Sequence, residues 1–172
     1  MNRRAISQLM AVIIAIIALG LSSGSLVSNI PKADVTGVVF DESYPEVVEV
    51  IDGDTIKVSD GTSQKTVRLI GIDTPETKDP RKPVQYYGVE ASNFTKDLLE
   101  RRHVNLQKDI TDTDRYARLL RYVYLGDGTF VNEKLVREGY AHASTFPPDV
   151  KYADLFAEAE RDAREHKRGL WQ

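Results

Sequence analysis

Cysteine is absent from these 172 residues, and its absence removes several classes of chemistry at once. A disulfide framework, a thiolate metal site, a cysteine nucleophile and a lipid-modified cysteine anchor are all excluded. Histidine is scarce too: His103, His142 and His166 are the only three. None has metal-ligand spacing to a partner, so any metal is expected to be held by oxygen. Also lacking is an excess of positive charge. The formal net charge is −3, and about −5 without residues 1–28, which hold Arg3 and Arg4 and no acid. Passive coating of a nucleic acid usually calls for a basic surface. An acidic protein acts on a polyanion where a cation and a few arginines reverse the sign locally.

What is present suffices for one domain of ordinary size plus a short appendage. The apolar share is 41%, enough for a single core. Asn2-Arg3-Arg4, the apolar run Leu9–Leu21 and a Ser/Gly stretch from Ser22 to Ser28 follow the order of an export signal. No charge interrupts Ala5 through Pro31, so residues 5–27 also suit an N-terminal membrane anchor. Residues 29–45 read as a linker, and 46–172 as the folded domain.

In that domain Glu46–Ile51 and Thr55–Ser59 read as short strands, and Asp60-Gly61 as a hairpin turn. Lys65–Ile72 reads as the returning strand, with His103–Gln107 and Leu119–Leu125 completing five. Val89–Leu99, with Ala91, Phe94 and Leu98 at helical spacing, reads as a helix. Val131–Glu138, closed by Gly139, is a second helix. Lys151–His166 is a third, with Ala153, Phe156, Ala157 and Ala163 expected inward. This α+β order, mainly strand, matches a small five-stranded barrel of the oligonucleotide-binding (OB) fold with three α-helices.

Chemistry concentrates between Val50 and Glu76. Asp52 and Asp54 flank Gly53, so if the strand continues through the glycine their side chains share a side; taken alone, Asp-Gly-Asp also suits a solvated turn. In Asp73-Thr74-Pro75-Glu76, Pro75 fixes its own φ and pushes Thr74 into an extended conformation. The Asp73 carboxylate and Thr74 carbonyl are thereby given a defined direction, with Glu76 one step beyond. A hard ion such as Ca²⁺ accepts carboxylate, carbonyl and water ligands together, and a structural calcium site without catalysis uses the same oxygens. Arg68 lies in an otherwise apolar strand, where an unpaired charge facing the core is costly; it must face a solvated cleft or an anion. Arg118 heads the last strand. A guanidinium forks onto phosphate in a way lysine cannot reproduce.

From about Glu46 to Trp171 the chain resembles the thermonuclease family of calcium-dependent secreted nucleases. The matching stretches are Val50–Ile56, Arg68–Thr77, Tyr87–Thr95, Thr113–Arg118 and Val131–Gly139. The resemblance implies a staphylococcal nuclease-like fold and hydrolysis of DNA and RNA at the 5′-oxygen side, leaving 3′-phosphate ends. It implies Ca²⁺ on the Asp54 and Asp73 carboxylates and the Thr74 carbonyl, with Asp52 behind them. Glu76 would hold or deprotonate the attacking water, and Arg68 and Arg118 would bind the scissile phosphate. Lys78, Arg81 and Lys82 lie in a Pro-bounded loop, Thr77–Tyr86, that suits either a basic flap over substrate or an ordinary solvated loop, and the resemblance sets Arg115 and Tyr116 near a terminal phosphate. Where the family commonly offers two tyrosines for base stacking, this chain has Ser144-Thr-Phe-Pro-Pro148, and Ala117 replaces a usual glycine. An exported monomer with no obligate protein partner is expected. A non-catalytic OB-fold nucleic-acid-binding domain is the alternative, but such domains typically lose the acids and arginines retained here.

Overall fold

The computed structural model describes residues 43–78 and 83–172. The export or anchor segment 1–28, most of the linker 29–45, and Arg81 and Lys82 of the basic loop lie outside the described residues. Among the described residues no helix is long and apolar enough to cross a membrane.

Among the described residues, seven strands and three helices follow one another as β1 (Glu46–Asp52), β2 (Thr55–Ser59), β3 (Gln64–Leu69), β4 (Gly71–Asp73), α1 (Gly88–Leu99), β5 (Val104–Gln107), β6 (Leu119–Leu125), α2 (Val131–Arg137), β7 (His142–Ser144) and α3 (Ala153–Glu165). A short 3₁₀ turn, Gly169–Trp171, closes the chain. The architecture is α+β. Its main sheet has five strands in the order β1-β2-β3-β6-β5, antiparallel except for the parallel β3–β6 pair. That parallel register sets Arg68 opposite Leu120, which brings the Arg118 loop alongside β3. No continuous ladder joins the two outer strands among the described residues. They are linked by an isolated bridge between Glu46 and His103 and by the Val104 amide on the Pro45 carbonyl at 3.0 Å.

The β2–β3 turn shows why the hairpin forms where the sequence places it. Asp60 Oδ1 accepts the amides of Thr62 (2.9 Å) and Ser63 (2.8 Å), a side chain mimicking a backbone turn. Inside, Val47, Ile56, Val67, Leu99, Tyr122 and Phe156 are wholly buried. Asn132, also wholly buried, accepts the Val123 amide at 2.9 Å and donates to the Ile70 carbonyl at 2.9 Å. It thus fastens α2 to the seam between β3 and β6 without leaving a polar group unpaired.

Two expectations are corrected. Lys65–Ile72 is not one strand: β3 stops at Leu69, and β4 pairs instead with β7 in a two-stranded sheet. The break falls at Gly71, whose φ is +80 and where a Cβ would lie 2.2 Å from Cε2 of Phe156. In α3, Ala157 is exposed whereas Ala159 is buried with Phe156 and Ala163; the inward stripe runs at spacings of three and four.

Gly71→Ala is therefore expected to destabilise the fold by about 2–4 kcal/mol, combining left-handed strain with overpacking against a buried ring. Chemical denaturation measures it. A loss below about 0.5 kcal/mol would show that Phe156 yields freely.

Candidate active site

Asp52, Asp54, Arg68, Asp73, Thr74, Glu76 and Arg118 line a single cleft of about 300 Å³, together with Thr55 and Gln85. The walls come from the β1–β2 turn, the end of β3, the segment leaving β4 and the head of β6.

The β1–β2 turn does not carry the strand through Gly53. Asp52 pairs with Thr55, so Gly53 and Asp54 form a tight turn and the two acids face different partners. Asp52 Oδ1 accepts the Gly53 amide and the Thr77 hydroxyl, both at 2.9 Å, anchoring the segment that carries Glu76. Asp54, 6% exposed, accepts the Thr55 hydroxyl at 3.0 Å on Oδ1 and the Thr74 amide at 2.9 Å on Oδ2. Glycine is required between them, since a Cβ on Gly53 would stand 2.8–2.9 Å from the Thr74 side chain. Behind the turn, the Thr95 hydroxyl of α1 donates to the Gly53 carbonyl at 2.7 Å.

Arg68 sits between two acids. Its Nη2 donates to Asp73 Oδ1 at 2.8 Å, and its Nη1 contacts Asp54 Oδ2. The second contact is an ion pair without hydrogen-bond geometry, so Nη1 remains a buried donor with no hydrogen-bond acceptor. Burial raises the Asp52 carboxyl above its ordinary value, against the hydrogen bonds from Gly53 and Thr77. Desolvation also raises Asp73, opposed by the charge of Arg68 and reinforced by that of Asp54. The Asp73 side chain is nevertheless 60% exposed, so water screens its contribution to stability.

Glu76 is held through its backbone. Its amide donates to Gln85 Oε1 at 2.8 Å, and its Oε1 accepts the Lys78 amide at 2.6 Å. Lys78 is exposed, and its side chain is not part of the cleft wall. Lys82 lies outside the described residues. Arg115 and Tyr116 also stand off the cleft wall: Tyr116 is 65% exposed, with the Arg115 and Arg118 guanidinium carbons 4.8 and 5.4 Å from its ring centre.

Sequence reasoning missed the acids that aim Arg118. Asp114 accepts Arg118 Nε at 2.7 Å and the Arg118 and Tyr116 amides at 3.0 and 2.8 Å. Ala117 completes this loop at φ +61, a strained conformation for a residue with a Cβ. Asp109 and Asp149 then clasp two loops reciprocally. Asp149 Oδ1 accepts the amides of Ile110 (2.9 Å) and Thr111 (2.8 Å), while Asp109 Oδ2 accepts the Lys151 amide at 3.2 Å and the Tyr122 hydroxyl at 2.8 Å. This clasp fixes Phe146, 73% exposed, on a groove of about 220 Å³ that shares Arg68 and Arg118 with the cleft. The only sequence signal was the acid-rich spacing itself, which also fits a solvated loop. Trp171, in the closing 3₁₀ turn, lies against α3, with the Arg164 guanidinium carbon 3.8 Å from the ring centre.

Burial raises Asp114, but the hydrogen bonds and charge of Arg118 outweigh it and the carboxyl ends below its ordinary 3.8. A lowered acid stabilises the fold above its unfolded value, and that stabilisation is lost as pH falls through the lowered folded value. Asp114→Asn is thus expected to unfold earlier in urea at neutral pH, with the gap to the parent closing below pH 3.8; a gap constant with pH would contradict the assignment. Asp149→Ala is expected to cost about 1–3 kcal/mol by stranding two amides. Asp149→Asn, which keeps an accepting oxygen, is expected to recover most of it in the same titration.

Residues 66–172 match the family described as Staphylococcal nuclease homologue. The chain is 46% identical over 130 residues to the Thermonuclease of Staphylococcus hyicus, covering 76% of each chain. It is 46% identical over 141 residues to the Thermonuclease of Staphylococcus intermedius, covering 82% of this chain and 80% of that one. With Endonuclease YncB of Bacillus subtilis (strain 168) the identity is 45% over 123 residues, 70% of this chain and 58% of the other. On the family match, the identities and their coverage, the chain belongs to the staphylococcal nuclease family.

Proposed function

We propose that the cleft hydrolyses the phosphodiester bonds of DNA and RNA with the help of Ca²⁺, cutting between phosphorus and the 5′ oxygen. As a member of this family the protein is a phosphodiester-hydrolysing nuclease; the metal, the cleavage side and the residue roles are the proposal. The observation that carries it is the convergence of four carboxylates and two guanidiniums on one cleft.

The donor set fits a hard cation. Asp54 and Asp73 approach closely enough to share one guanidinium, and the cleft holds more acid than base. No group of three or more acid or histidine side chains forms a metal cage among the described residues. Asp54, Asp73 and the Thr74 carbonyl would hold Ca²⁺ with water completing the shell, as calcium's mixed oxygen coordination permits. Bound there, the ion supplies Lewis-acid stabilisation of the charge on phosphate oxygen.

The chain's own residues do the rest. Asp52 would hold Thr77, and with it the backbone of Glu76. Glu76 would orient the attacking water and take its proton as the oxygen–phosphorus bond forms. Arg68 and Arg118 would take the phosphate oxygens as negative charge builds in line. The bond to the 5′ oxygen breaks and that oxygen takes a proton from solvent water, leaving a 3′-phosphate and a 5′-hydroxyl. Lys78, Lys82, Arg115 and Tyr116 would contact flanking nucleotides, and Phe146 would offer a ring beside the phosphate groove. We further propose that the five strands form an OB-type barrel, completed by the Glu46–His103 bridge. Residues 1–28 would direct export or anchor the chain, 29–45 would link, and the monomer would act outside the cell.

Cleavage of single-stranded DNA tests the mechanism. Chelation is expected to abolish it, and Glu76→Gln to reduce turnover sharply. Arg118→Ala is expected to cost roughly 10³–10⁵ in rate while changing stability by less than about 1 kcal/mol, because its ion pair is partly exposed. Undiminished cleavage in chelator or by Glu76→Gln overturns the mechanism, and full activity in Arg118→Ala removes that residue from the site.

A further inference from the structure

The segment before α1 bears a feature that the reaction does not use. Gln85 lines the cleft, and two hydrogen bonds lock it to Glu76: the Glu76 amide donates to Gln85 Oε1 at 2.8 Å, and the Gln85 amide donates to the Glu76 carbonyl at 3.0 Å. Gly88 seats the same turn against the Glu76 segment, since a Cβ there would lie 2.7 Å from Thr77 Cγ2 and 3.1 Å from the Pro75 carbonyl. Tyr87 closes the turn at φ +64, a left-handed conformation that bulky residues rarely adopt. Between them Tyr86 projects outward, 69% exposed.

Tyr86 is the open end of a column of rings. Its centroid is 5.8 Å from that of Tyr87; Tyr87 stacks on Tyr140 at 5.6 Å, and Tyr140 stacks on Phe94 at 4.1 Å and 16°. The inner three rings are half-buried, so the outer one stands on a fixed support rather than on a mobile loop. Val84 and Val89, 56% and 52% exposed, extend the apolar rim. Isolated exposed apolar residues are ordinary; a supported group next to a working cleft marks a binding surface.

We propose that Tyr86, backed by Tyr87, Tyr140 and Phe94, is a base-stacking subsite for an unpaired nucleotide of a single-stranded substrate, flanking the bond held at Glu76. The inference rests on the nuclease reading. The occupant follows from continuity: Tyr86 adjoins Gln85 in sequence, and Gln85 is tied to the residue assigned to the attacking water. A ring face stacks any base regardless of sequence. Duplex DNA keeps its bases stacked on each other and gains nothing here.

Steady-state cleavage by the full chain and by Tyr86→Ala separates the outcomes. Three substrates are used: a single strand of roughly twelve nucleotides, within the span such surfaces bind, a dinucleotide and a duplex. KM for the single strand is expected to rise about tenfold, with kcat and both other substrates unchanged, and Tyr86→Phe is expected to behave as the parent. Equal KM on the single strand, or the same loss on all three substrates, overturns the subsite while leaving the nuclease reading intact. A dimeric parent that becomes monomeric in Tyr86→Ala overturns it in favour of a second copy on this face. No cleavage of any substrate by the parent overturns the nuclease reading and the subsite with it.

Discussion

The Asp54 carboxylate is the point on which the cleft depends. One buried side chain accepts the Thr74 amide and the Thr55 hydroxyl and pairs with Arg68. Two other stretches of chain are thereby held to the turn that carries it. Charges taken out of water are costly unless paired and hydrogen-bonded, and Asp54 meets that condition only when β1, β2, β3 and the segment after β4 are all in place. The site is consequently an outcome of the fold rather than of a local peptide.

The second arginine joins the cleft by topology. The parallel pairing of β6 with β3 runs the later strand alongside the strand of Arg68, closing a gap of fifty residues in sequence. Asp114 then aims the guanidinium, and the Asp109–Asp149 clasp fixes the neighbouring loops. Each of these acids spends its lone pairs on backbone amides that loops otherwise leave to water. The position of Arg118 is thus maintained by hydrogen bonds to acids that do not line the cleft themselves.

Much of this was legible in the sequence, and the reasons are specific. Apolar alternation and Asp-Gly turns located the five strands of the main sheet, and helical spacing located the three helices. All seven residues assigned to metal, water, phosphate or support line the cleft, because they sit at strand ends where backbone direction is fixed. What stayed hidden depends on long-range contact. The break in Lys65–Ile72 follows from Phe156, more than eighty residues away, pressing on Gly71, and β7 exists only because that break frees β4 to pair with it. Asp52 and Asp54 would share a side only if the strand ran on through Gly53, and of the two readings open there the tight turn holds. Asp109, Asp114 and Asp149 look like any solvated acids until their amide partners are known.

The account makes Asp54 both the organiser of the cleft and a ligand of its cation. Calorimetric titration of Ca²⁺ into the full chain and into Asp54→Asn, with circular dichroism to confirm folding, tests that claim most directly. Saturable binding by the parent and its loss in a folded Asp54→Asn is the predicted result. Binding of equal strength in both proteins would contradict it.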